Sequence, residues 1–215
     1  MIPSRAELQK YNVTIPDTYE GLSQPLYDYQ AYAAAGATSF TFFATPAGSG
    51  GKTVDDTNMV LSGQIPAQQI FLIQSIEVPF YPTTPTVAAQ MPAAFGAQAV
   101  AQIVNDVYKF YRAGNFLLTI GSKPYLQVAP LMSLPPKTHL VTNGALADVT
   151  TAGANLQSRI GYAYAAGRPF ILGAPLKLAP NMSFSCSINF ATAVVITNPA
   201  RVGVVLDGVL YRQAQ

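Results

Sequence analysis

Charge is scarce in this chain. Its 215 residues include 12 Lys and Arg and 10 Asp and Glu, 10 % in all, where a soluble domain ordinarily carries about 25 %. A free-standing domain uses such side chains to stay soluble and to resist association. A chain that is 50 % apolar without them is expected to have much of its surface covered by a membrane, a ligand or further copies of itself. Long apolar runs are also missing. Stretches such as Ile70–Ile73 and Val202–Leu206 fall far short of the roughly 20 residues that span a bilayer as a helix. The Pro-rich joins and uneven strand lengths fit poorly with the evenly alternating strands of an outer-membrane barrel. The start, Met1 to Glu7, has no basic stretch followed by an apolar one, so no signal peptide is expected.

Single residues set further limits. One cysteine, Cys186, cannot make an internal disulfide, and one histidine, His139, excludes the His-rich metal sites of cupins and most zinc enzymes. The basic residues are scattered singly, without the Lys/Arg stripe that binding a phosphate backbone requires, so sequence-specific nucleic-acid binding is not expected. Tryptophan is absent, although there are 12 Tyr and 11 Phe.

What is present reads as strands. Ser4-Arg-Ala-Glu7 is a capping box that predicts a short helix from Arg5 to Tyr11, stopped by Pro16. Residues 12–30 hold several Pro or Gly breaks and many tyrosines, and read as an extended arm lying on a surface, with a frayed terminus as the alternative. Thr38–Thr45 is the first strand, and Pro46–Gly51 a flexible loop without the spacing of a phosphate loop. Gln69–Tyr81 is a long strand with Ile70, Leu72, Ile76 and Val78 on one face and Phe71, Ile73 and Phe80 on the other. Two apolar faces predict a strand buried between layers or covered by a neighbouring subunit. Pro92–Asn105 is the one helix candidate of the chain's interior.

The second half predicts strand after strand. Val107–Arg112 and Phe116–Ile120 flank Ala113-Gly114-Asn115 as a hairpin, and Tyr125–Leu131 follows. Lys137–Arg159 is a long loop with one short strand around His139–Thr142. Phe170–Leu178, Met182–Phe190 and Arg201–Arg212 complete the set. In Met182–Phe190, Phe184, Cys186, Ile188 and Phe190 alternate with Ser and Asn, which places Cys186 on the buried face as a packed thiol. Asp207-Gly208 marks a tight hairpin or a bulge. About eight to ten strands with uneven connections predict an all-β, Greek-key sandwich of the jelly-roll type. Its expected organisation is a helix and extended arm over residues 1–37, and one sandwich domain over 38–215 with one inserted helix.

Catalytic chemistry is thin. Asp55-Asp56 beside Lys52 and Thr57 lacks the repeated oxygen ligands of a calcium loop. Glu77 is expected to face solvent or to pair with an Arg at a subunit contact. His139 lies near Thr138 and Thr142, but no Gly-x-Ser-x-Gly elbow positions a serine nucleophile for it. Asp106 and Asp207 are the remaining candidate acids, and the acids stand without tryptophan platforms for a sugar. No catalytic, cofactor-binding or metal-binding residue is assigned, and no enzymatic activity or cofactor is expected.

In its low charge, its Ala, Thr, Gln and Pro content and its strand pattern over roughly residues 38–212, the chain resembles jelly-roll capsid proteins of tailless icosahedral viruses and bacteriophages. Arg168–Pro175, the alternating Met182–Phe190 strand and Val202–Arg212 carry the likeness to the final strands of such folds. The resemblance implies a structural subunit of a virion that self-assembles through trimeric or hexameric capsomers. Its partners would be other copies of itself and further virion proteins, its arm would make contacts, and in some lineages a membrane would lie beneath. The alternative is a phage spike or receptor-binding β-module that recognises a host-surface glycan.

Overall fold

Alternating apolar residues dictate most of the architecture. The computed structural model describes residues 4–11, 13–82, 105–137, 139–144, 158–163, 167–197 and 199–214. In chain order these form helix α1 (Arg5–Gln9) and strands β1 (Tyr19–Ser23), β2 (Leu26–Tyr32), β3 (Ser39–Phe42), β4 (Gln69–Glu77) and β5 (Phe80–Pro82). Helix α2 (105–112) follows. Then come β6 (Asn115–Ile120), β7 (Lys123–Val128), β8 (His139–Gly144), β9 (Ser158–Ala163), β10 (Phe170–Leu178), β11 (Phe184–Asn189) and β12 (Ala200–Gln213).

The result is an all-β sandwich of two antiparallel sheets, with β8 and β9 as a separate hairpin. The long β12 is the axis of the first sheet. Along one side it pairs with β2 through Ala200–Leu206 and with β1 through Val209–Gln213. Along the other it pairs with β5 and β4, and β10 lies beyond β4. The second sheet runs β3–β11–β6–β7. Between them lies one core, built from Phe71, Ile73, Ile76, Val78, Val202, Val204 and Leu206 of the first sheet and Phe42, Phe116, Leu118, Phe184, Cys186 and Ile188 of the second. Full burial of such side chains contributes about 1.5–3 kcal/mol each, before the entropic cost of ordering them.

Three expectations change. Residues 19–32 are extended, but as strands of the first sheet and not as an arm; Leu26 and Tyr32 are buried because they face the core. What lies on a surface is residues 4–11 and 13–15. There α1, with its Ser4–Glu7 capping box complete, brings Leu8, Val13 and Ile15 over Ile70, Leu72, Val209 and Tyr211. The second apolar face of β4 is thus covered by the chain's own N-terminal segment.

Val107–Arg112, expected as a strand, is helical. Its β-branched and aromatic content misleads, whereas the spacing of Val107, Phe110 and Tyr111 gives one face of a helix. The ring of Phe110 stacks on Phe80 at 4.1 Å and 6°. Gly114 is then not a hairpin residue but the left-handed stop after α2, at φ +79°. The helix expected over Pro92–Asn105 lies outside the described residues except for Asn105, which is in α2.

Finally, Asp207-Gly208 sits at a bulge within a continuous β12. Asp207 opposes Ser75 while Gly208 opposes Ile73, so Gln74 is the extra residue. The insertion reverses the alternation of β4. Ile76 and Val78, expected beside Ile70 and Leu72, join Phe71 and Ile73 in the core instead.

Candidate functional site

That reversal divides the outer face of the first sheet. Its lower half, around Ile70, Leu72, Val209 and Tyr211, lies under the N-terminal segment. Its upper half carries Glu77 of β4, Tyr81 of β5, Tyr27 and Tyr29 of β2, and Arg201, Val205 and Asp207 of β12. These form the floor of an open cleft of about 650 Å³, walled by Val54 and Asp55 on one side and Lys137 on another.

Three tyrosine rings cross the floor in a row. Tyr27 and Tyr29 are 6.1 Å apart between centroids, and Tyr29 and Tyr81 are 6.3 Å apart at 27°. Tyr29 can lie flat only because residue 203 is glycine; a Cβ there would stand 2.3 Å from the ring. The Arg201 guanidinium covers Tyr29 at 4.5 Å and is itself fixed, donating to Asp56 Oδ1 at 2.9 Å and to the Asp55 carbonyl. The Tyr27 hydroxyl donates to the Val54 carbonyl at 2.6 Å.

Charge is arranged in pairs. Lys137 Nζ pairs with Asp207, and the Lys137 backbone N–H donates to Glu77 Oε2 at 2.6 Å. Glu77 is 8 % exposed, which overturns the expectation that it faces solvent. Burial pushes its carboxyl above the ordinary range, and the nearby Asp207 charge adds to this against the Lys137 interactions. Burial likewise raises the Tyr29 phenol. Asp56 is lowered, first by the Thr53 N–H that it accepts at 3.0 Å and further by Arg201.

Of the sequence candidates, Asp55, Glu77 and Asp207 line this cleft, and the others lie apart from it or serve the fold. Asp56 and Asp55 do not converge on a cation position: both Asp56 oxygens are taken, by Thr53 and by Arg201. No group of three His, Cys, Asp or Glu side chains able to hold a metal occurs among the described residues. Asp106 accepts from the Thr197 N–H at 2.8 Å and ties α2 to the loop before β12. His139 opens β8, and its side chain lies outside the described residues. Cys186 is fully buried and its thiol is pushed well up by burial.

Sequence reading did not assemble the cleft because its groups come from five separated segments. The recoverable signals are Tyr27 and Tyr29 two residues apart, and Arg201, Val205 and Asp207 at one parity on β12. Comparison with protein-family models and with curated proteins finds no match for this chain.

Proposed function

We propose that this chain is a structural subunit of a virion, a capsid protein with a jelly-roll fold that assembles into an icosahedral shell through trimeric or hexameric capsomers. The observation that carries the reading is strand order. With β1 and β2 taken as one row, β4 and β5 as another, and the β8–β9 hairpin set aside, the first sheet runs first, eighth, third, sixth in chain order, and the second runs second, seventh, fourth, fifth. Two rolled Greek keys of this kind are shared by viral capsid, lectin and cupin domains. A single histidine leaves no His-rich metal set of the cupin type.

The distribution of charge favours an assembling subunit. Of the 10 acidic side chains, Glu7 caps α1, Glu20, Asp28, Asp56 and Asp207 sit in ion pairs, and Glu77 and Asp106 accept backbone N–H groups. Seven of the ten acids are thus engaged within the chain, and among the described residues exposed charge is confined to scattered residues such as Lys10, Lys109, Arg112 and Lys123. Charge this sparse limits like-charge repulsion between neighbouring copies.

Electron microscopy and gel filtration of the expressed chain test the reading. Shells, capsomers or other large homo-oligomers are the expected products. A stable monomer at micromolar concentration would refute it.

A further inference from the structure

We infer that the open half of the first sheet is a saccharide-binding site, selective for neutral or amino sugars. The inference stands on the cleft itself and not on the assembly reading. A pyranose presents two kinds of surface: a flat C–H face, which packs on aromatic rings, and a rim of hydroxyls, each both donor and acceptor. The cleft supplies a counterpart for each. Tyr81, 39 % exposed, continues the tyrosine row beyond the ring that Arg201 covers, and so offers a free aromatic platform. Around it stand acceptors, the carboxylates of Asp55 and Asp207, and donors, the remaining N–H groups of Arg201 and the half-exposed ammonium of Lys137.

These groups are preorganised. Arg201 is held by Asp56 and the Asp55 carbonyl, and Lys137 by Asp207, so little rotamer freedom remains to be lost on binding. The volume of about 650 Å³ lies inside the range of about 300–1,000 Å³ usual for ligand sites. Electrostatics narrows the ligand class. Among the lining residues the carboxyl groups of Asp55, Glu77 and Asp207 outnumber the cations Arg201 and Lys137, so a phosphate, a sulfated glycan or a nucleic-acid backbone is disfavoured. A neutral sugar is not, and the ammonium of an amino sugar is attracted.

The test is a glycan array probed with the full chain, followed by saturation-transfer NMR titration of the best ligand against wild type, Tyr81→Ala, Asp55→Asn and Tyr125→Ala. Tyr125 is an exposed ring on the second sheet and serves as the control. Expected are hits confined to neutral or amino sugars, affinity weakened about tenfold or more by Tyr81→Ala and measurably by Asp55→Asn, and no change in Tyr125→Ala. Circular dichroism checks folding. Should Tyr81→Ala not fold, Tyr81→Phe, which keeps the ring, must bind while Asp55→Asn weakens. Overturning results are no saccharide bound by the folded chain, hits restricted to sulfated or phosphorylated glycans, or binding indifferent to both cleft variants. Micrographs of the same preparations score assembly separately, so loss of one reading leaves the other standing.

Discussion

Lys52→Met isolates the most deeply placed charge among the described residues. Asp28 lies on β2 with 0 % of its side chain exposed, and its carboxylate accepts the Phe43 N–H at 2.6 Å and pairs with Lys52, itself only 16 % exposed. Phe43 has a left-handed backbone, φ +67°, so this carboxylate anchors a residue that would otherwise relax. Removing the cation leaves a buried negative charge, which costs about 3–5 kcal/mol where a partner is deleted. That is a large share of the roughly 5–15 kcal/mol by which a domain is stable. Burial already holds the Asp28 carboxyl above its ordinary value, against Lys52 and the Phe43 N–H. A raised carboxyl favours the folded state below its unfolded pKa, about 3.9, and that contribution is lost as pH rises through the folded value. Without Lys52 the folded value rises further. Urea denaturation of Lys52→Met should therefore show its greatest loss at neutral pH and a smaller one near pH 5. The double variant Asp28→Leu/Lys52→Met should recover much of the difference. A loss below about 1 kcal/mol that is independent of pH would refute the reasoning, because the pair would then behave as a solvated one.

Three further outcomes follow from the packing and the cleft. Gly208→Ala places a Cβ 1.9 Å from the Leu72 carbonyl oxygen, so a melting curve should report at least the 1–3 kcal/mol, roughly, of an overpacked core; a neutral result would exclude the bulge. Phe110→Ala removes a fully buried ring stacked on Phe80 and should cost about 3–5 kcal/mol in denaturant, whereas Tyr108→Ala on the exposed side of α2 should cost little. Glu77→Gln removes a carboxyl raised by burial and by Asp207. Stability tied to that group is present below the unfolded value and lost as pH rises through the folded one. The variant should thus be no less stable than wild type at neutral pH and should flatten the gain on acidification, both read from thermal melts across pH 4–8.

Much of the fold was legible because its signals are local. The Phe184–Cys186–Ile188 alternation gives a one-sided strand directly, and Ser4 with Glu7 gives the cap of α1. The failures share a different cause: each depends on a partner remote in sequence. Val107–Arg112 has strand composition, and only the surfaces of Phe80, Tyr32 and Phe190 reveal that Phe110 and Tyr111 share a helical face. Glu77 has the parity of the inward Phe71 and Ile73, and reaches the outer face only through the extra residue at Gln74, which the pairing with β12 defines. The cleft was illegible for the same reason. Neither Tyr29 nor Arg201 is distinctive alone; Gly203 and the register Gly203↔Tyr29 bring them together.

The central place of β12 also bears on how the chain is made. Ala200–Gln213 is synthesised after every strand it joins, and its partners reach back as far as Tyr19, which pairs with Gln213. Until those residues emerge, β1, β2, β4 and β5 have no common neighbour, and the first sheet cannot close. Contacts of such long sequence separation make folding slow and hold back closure of the first sheet until β12 has been synthesised. A nascent or prematurely terminated chain lacks the strand that organises half the sandwich. Only molecules synthesised past β12 can present the finished outer faces, so emergence of this strand acts as a built-in timer on any encounter those faces make.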